Sequence, residues 1–403
     1  MNYIQYWKIK NLMIYNSRSG YYTVNGKIFY DKIEAILFAN EAKSEIEWNY
    51  YNDVFYPIDW SVEPETSLRE FYKIRAKQLR DKYDYLIAFV SGGADSCQVV
   101  DSFVKNNIKL DEVYAGAPLS GLKNFKPSYN IAASNHISET FYAQLPFLEK
   151  IRSENPEIKI TVNDYFDEIL KYKEDDWLFR SSDWLHPTAL ARYSLEKFDH
   201  IKKLVDKGKR VAAIYGANKP QVFITNNVVM SAIDDLGMNV AKPAFKSLDI
   251  DLEPFYTTPD LPFLVVKQSH EVIKYALKPE NENFLKVLKY KATMGHMMTE
   301  RSINGKLWNN ATYGRAITPV IYPDLNYNYW QSDKPNTMIL ADHDAWFYEH
   351  HKDTQAYKMM ISDVSNFVKS IDYKYFKDIS KSAFKRYSIY FPMGNIYGYK
   401  NDS

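Results

Sequence analysis

The chain has 403 residues, 46% apolar and 25% charged, with a formal net charge of +1. That length exceeds one ordinary domain, the balance is that of a globular protein, and the near-neutral total argues against whole-chain attraction to nucleic acid or membrane. A lone cysteine, Cys97, excludes an intramolecular disulfide and a cysteine-rich zinc site.

The N-terminus "MNYIQYWKIKNLMIY" lacks a signal-peptide profile, and no apolar run approaches the roughly 18 residues of a membrane span. The expectation is a cytoplasmic protein. Abundant Lys, Asn, Ile and Tyr suggest AT-rich coding, as in a bacteriophage genome.

Three regions follow in chain order: residues 1–75, 76–270 and 271–403. In the first, Asn25-Gly26 between β-branched and aromatic runs predicts a hairpin turn. "DKIEAILFANEAKSEIEW" reads as a helix opened by Asp31. A second helix is predicted from Leu68, Phe71, Ile74 and Leu79, capped by Thr66 or Ser67. The second region alternates. "YLIAFV", "LDEVYAGA", "EIKITVND" and "RVAAIYGANKP" read as strands. "DSCQVVDSFVKNN", "SNHISETFYAQLPFLEKIRSENP" and "HPTALARYSLEKFDHIKKLVDKG" read as helices. Apolar strands separated by helices predict an α/β fold with a parallel sheet covered on both faces, whose ligands bind at the carboxyl ends of the strands. The first region reads as small and α+β, the last as mainly helical.

The segment "YLIAFVSGGADSCQVV" leaves a strand and enters a helix through Ser91-Gly92-Gly93-Ala94-Asp95-Ser96. Two glycines let backbone N–H groups approach an anion, two hydroxyls add donors, and the helix dipole points to the same place. A phosphate suits that turn. The lysine of the common P-loop is absent. A carboxylate, Asp95, sits where it would repel phosphate unless Mg²⁺ lies between. A second strand exit, "IYGANKPQ", carries Gly216, Asn218 and Lys219, and Lys219 supplies the positive charge that the first turn lacks.

The string Ser91–Ser96 resembles the S-G-G-x-D-S motif of the PP-loop, or N-type ATP pyrophosphatase, superfamily, and the chain resembles the synthetase domain of asparagine synthetase without its glutaminase domain. The resemblance covers about residues 84–225. It implies an adenine-nucleotide α-hydrolase-like (HUP-type) sheet, ATP and Mg²⁺ as cofactors, and attack of a substrate oxygen on the α-phosphate. It would place pyrophosphate on Ser91, Gly92, Gly93, Asp95 and Ser96, with Asp95 on the metal, and adenine and ribose near Tyr114, Ala115 and Gly116. Asp95 and Lys219 become the expected catalytic pair. The family's thiolating, zinc-binding and sulfonucleotide-reducing branches need cysteines that this chain lacks, and Asn2 stands where a glutaminase would have its cysteine. Nitrogen would come from free ammonia, a substrate amine or a separate ammonia-donating subunit.

The expected activity is adenylation of a carbonyl or carboxylate oxygen of a small molecule for C–N bond formation. The alternatives are modification of a nucleobase in a nucleic acid and nucleotide binding without catalysis, as in an interaction or virion protein; a homo-oligomer is compatible with each. Cys97 reads as a packing residue. Lys267 and His270, at a strand end or helix start, and Arg315, in an aromatic loop, are candidates for the substrate side. Arg315 would clamp a phosphate or carboxylate, or stack on its tyrosine neighbours. Asp342, His343, Asp344, His350 and His351 match no metal spacing and read as a polar helix face. The basic and aromatic C-terminal stretch "YKYFKDISKSAFKRYSIYF" reads as a docking helix.

Overall fold

Five strands form the predicted parallel sheet: β4 (Tyr85–Phe89), β5 (Glu112–Ala117), β6 (Lys159–Asp164), β7 (Val211–Tyr215) and β10 (Asp251–Pro254). Their spatial order is β10-β7-β4-β5-β6. All neighbours are parallel. The computed structural model describes residues 20–123, 126, 136–171, 194–216, 219–235, 248–293, 301–303, 306–308, 310–323, 325, 352–364, 366 and 386–401. The chain builds outward from central β4 through β5 to β6, then returns to the other side through β7 to β10. The order reverses between β4 and β7, which makes the carboxyl end of that pair the topological switch point.

Helices flank the sheet. α2 (Leu68–Lys82) is opened by Ser67, whose Oγ accepts from the Glu70 N–H at 3.3 Å. Its buried face is Leu68, Phe71, Tyr72, Arg75, Ala76 and Leu79. The predicted core residue Ile74 is only half-buried, while Arg75 is buried through its pairing with Glu253 on β10 at 2.9 Å. α3 (Ala94–Val104) follows β4, and α4 (Leu145–Glu154) leads to β6. α5 (Asp199–Asp206) precedes β7 and runs into Gly208, which takes φ +69. Residues 186–193 of that predicted helix lie outside the described residues.

The N-terminal hairpin forms as expected. β1 (Tyr21–Val24) pairs with β2 (Lys27–Phe29), and Asn25 and Gly26 both take positive φ in the turn. The helix opened by Asp31 is shorter than expected. α1 (Lys32–Ala42) stops at Lys43, which adopts a left-handed conformation, and Glu47–Asn49 becomes strand β3 against β1. Ile46, Trp48 and Tyr50 are all buried, so alternation at period two overrides the helical reading.

Further strands were not expected, among them the hairpin of β11 (Arg301–Ile303) and β12 (Lys306–Trp308). β8 (Gln221–Thr225) and β9 (Val228–Ala232) form a hairpin, and β9 also pairs with β13 (Phe391–Asn395). Late in the chain, α6 (Phe263–Leu277) spans residue 270, and α7 (Glu282–Thr293) and α8 (Asn310–Ile321) follow. One buried apolar cluster runs from Tyr22 to Ile396 and joins all three regions. No helix among the described residues is long and apolar enough to cross a membrane.

Candidate functional site at the switch point

The turn after β4 is held by its own hydroxyls. The Ser91 N–H donates to Ser96 Oγ at 3.2 Å, Ser96 Oγ donates to the Gly93 carbonyl at 3.0 Å, and the Gly93 N–H donates to Ser91 Oγ at 3.3 Å. Gly93 is the N-cap of α3 and makes no side-chain cap bond. The first N–H groups of an α-helix have no intrahelical acceptor. They therefore face the mouth of the turn with the positive end of an 11-residue helix. Cys97, in the next turn, is fully buried.

Gly92 has a different reason from the one the sequence suggests. Its φ is +77, and a Cβ there would lie 2.4 Å from the Gln144 backbone nitrogen. Its missing side chain admits the π-helical turn Thr140–Gln144, so that side of Gly92 is not an open cradle. Gln144 reaches over the carboxyl edge of the sheet and donates from Nε2 to the Val90 carbonyl at 2.7 Å and the Gly116 carbonyl at 3.2 Å. Its Oε1 is buried without a partner among the described residues.

The exit of β7 faces the same turn. A Cβ on Gly216 would lie 2.6 Å from the Asp95 carbonyl oxygen, so glycine is needed for the two loops to approach. Lys219 Nζ then reaches Asp95 Oδ1 at 2.6 Å. The two residues expected to act together meet across the point where the strand order reverses. Asn218 lies outside the described residues.

Tyrosines complete the wall. Tyr322 donates its O–H to Asp95 Oδ1 at 2.7 Å, and its ring centre lies 5.8 Å from Lys219 Nζ. Tyr256 donates to the Asp95 carbonyl at 2.5 Å and packs on Tyr322 with ring centres 5.2 Å apart. Burial, then the charge of Asp95, pushes the Tyr322 phenol well above its ordinary range; burial, then Tyr72 and Asp95, does the same for Tyr256. Both remain donors at neutral pH. α8 embraces the lysine loop: Tyr313 bonds the Pro220 carbonyl at 2.8 Å and accepts from the Val222 N–H at 3.1 Å, and Gly314 flanks the Lys219 side chain.

Other expected residues fall elsewhere. Tyr114 and Ala115 are buried inside β5, which continues to Ala117; the Tyr114 ring packs on Phe89 and Phe198, and only Gly116 reaches the edge occupied by Gln144. Lys267 and His270 lie mid-helix in α6, not at a strand end or helix start. Lys267 pairs with Glu63 at 2.5 Å and Glu271 at 3.3 Å; His270 donates to the Trp60 carbonyl at 3.0 Å and lies 3.2 Å from the Tyr399 hydroxyl. Glu63 and Trp60 belong to the N-terminal region and Tyr399 to the last helix, and among the described residues no contact ties either side chain to Asp95. Arg315 belongs to α8 rather than to a loop; its side chain lies outside the described residues, as do Asp342, His343, Asp344, His350, His351 and most of the basic and aromatic C-terminal stretch.

A nucleotide with Mg²⁺ fits this set. Oδ1 of Asp95 takes two donors, while Oδ2 has no partner among the described residues. Among those residues no three His, Cys, Asp or Glu side chains gather to hold a metal alone. One carboxylate oxygen beside a helix N-terminus suits the habit of Mg²⁺, which completes its shell with substrate phosphates and water. No family model matches the chain, and no curated protein does.

Proposed function

We propose that the chain binds ATP with Mg²⁺ at the switch point and cleaves it between the α- and β-phosphates, as an ATP pyrophosphatase of the PP-loop, HUP-type class that adenylates an acceptor oxygen for C–N bond formation. The observation that carries this reading is the meeting of Lys219 with Asp95, 2.6 Å apart, across the reversal of strand order and beside the helix N-terminus that follows Ser91–Ser96. Bound Mg²⁺ would supply charge neutralisation for the departing pyrophosphate. The first-turn N–H groups of α3 and the hydroxyls of Ser91 and Ser96 would hold phosphate oxygens. Oδ2 of Asp95 is the free seat for the metal. Lys219 would exchange Asp95 for phosphate, so ligand binding replaces one ion pair with two. The acceptor is a small molecule or a nucleobase.

Gly93 has φ −77 and ψ 158, backbone that any residue adopts, so Gly93→Val probes the turn without forcing the chain. Calorimetry should show ATP binding to the wild type and its loss in folded Gly93→Val. Lys219→Ala should lower turnover about 100-fold with a smaller change in ATP affinity. Nucleotide analysis after incubation with ATP, Mg²⁺ and a metabolite pool should find AMP and pyrophosphate. ADP without AMP overturns the reading, and ATP bound without any turnover leaves a binding protein.

A further inference from the structure

Asp95 carries two donors on a single oxygen, and those donors differ in kind. Lys219 is a mobile cation on a flexible stem, arriving from a strand-exit loop. Tyr322 is a buried ring with one rotatable O–H, fixed by its surroundings. It directly follows α8, and the Tyr72 hydroxyl donates to the carbonyl of the preceding Ile321. Gln268 in turn donates to the Tyr72 hydroxyl at 3.0 Å. The rings of Tyr72 and Tyr256 flank Tyr322 with centres 6.3 Å and 5.2 Å away. Tyr322 itself is 1% exposed. One donor can therefore leave Asp95 and the other cannot.

Building on the proposed nucleotide site, we propose that Tyr322 is the positioning residue of the metal seat: it holds Asp95 Oδ1 so that Oδ2 stays presented to Mg²⁺ once Lys219 has moved to the phosphates. Without it, the carboxylate is free to turn about its side-chain bonds as soon as Lys219 departs. Retaining the Asp95–Lys219 pair and accepting a metal would then compete for the same oxygens. The C-terminal region thereby contributes to the nucleotide site through a hydroxyl aimed at the metal's ligand rather than at the nucleotide.

The probe is Tyr322→Phe, which keeps the ring and removes only the hydroxyl, with folding checked by its melting curve. ATP affinity is measured by calorimetry in excess Mg²⁺ and again in EDTA. The wild type should bind ATP more tightly with Mg²⁺. Tyr322→Phe should lose about ten-fold of that gain, the scale of one hydrogen bond to a charged group, while its affinity in EDTA stays within about two-fold of wild type. In an Asp95→Asn background, Tyr322→Phe should add no further loss, which a general packing defect would not obey. An unchanged Mg²⁺ gain in Tyr322→Phe, or an equal loss in both backgrounds, overturns the assignment while leaving ATP binding intact. Absence of ATP binding in the wild type overturns the nucleotide site, and this assignment with it.

Discussion

At Gly92 the backbone nitrogen of Gln144 lies 2.4 Å from where a Cβ would stand, and φ is +77. Two penalties therefore coincide there, a left-handed backbone and a collision with another segment's main chain, which cannot swing aside as a side-chain tip can. Gly92→Ala should lose about 3 kcal/mol of stability, the sum of typical strain and overpacking costs. Urea denaturation measures it, and a loss below about 1 kcal/mol would mean that the Thr140–Gln144 turn yields easily. Gly92→Ala thus tests folding and Gly93→Val the proposed binding, although the sequence presents the two glycines as one dipeptide. The motif Ser91–Ser96 was legible because all its parts are local: strand, glycines, hydroxyls and helix lie within a dozen positions. Lys219 was legible as a cation at a strand exit. Tyr322 and Tyr256 were not. They reach Asp95 from 227 and 161 positions away, and nothing local separates them from the other tyrosines among 34.

Among elements, the alternation of apolar strands and helices made four of the five parallel strands readable. β10 escaped because its sequence, Asp251-Leu252-Glu253-Pro254, is half acidic. Glu253 is fully buried there against Arg75, Lys82 and the Tyr83 hydroxyl, a tertiary compensation with no local signature. The β8–β9 hairpin did carry a signal, since Asn226 and Asn227 sit between β-branched runs. Both take positive φ, 49° and 63°, the two-residue turn whose twist matches its strands. Both are exposed, so the turn itself can be tested apart from packing. Asn226→Val or Asn227→Val should each cost about 1–2 kcal/mol, whereas Asn→Gly at either place should stay within about 0.5 kcal/mol of wild type. Chemical denaturation midpoints separate the two cases. Equal effects of valine and glycine would show that the strands, not the turn, set the register. This hairpin matters to the site because β8 begins two residues after Lys219, with Val222 tied to Tyr313 of α8.

Across the whole molecule, the N-terminal region and the last strand close on α6, and His270 is where they meet. Trp60 stacks on Phe391 of β13 with ring centres 4.2 Å apart, and the Trp60 carbonyl accepts the His270 Nε2–H. On the other side of the imidazole lies Tyr399, which also donates to the Met393 carbonyl at 3.0 Å. Burial lowers the pKa of His270, outweighing the bond to Trp60; the charge of Glu63 favours the proton, while Lys274 and Lys267 oppose it. The folded protein therefore binds a proton at this site less readily than the unfolded chain does. Stability should be complete above the unfolded value of about 6.5 and should fall as the pH drops below it, because the unfolded state then takes up the extra proton. Glu63 acts in a separate window. Burial raises its carboxyl, but the hydrogen bonds and charges of Lys267 and Lys274 prevail and lower it, so its contribution is lost below about pH 4.5. Between pH 7 and 5 the comparison of wild type with His270→Gln therefore isolates the imidazole, since glutamine retains an N–H for the Trp60 carbonyl and does not titrate. The variant should start less stable at pH 7 and lose less on acidification, so the two curves of unfolding free energy against pH converge. Parallel curves would mean that the imidazole meets the proton equally in both states, and that the junction of the N-terminal region, α6 and β13 is open enough for water to solvate the charge.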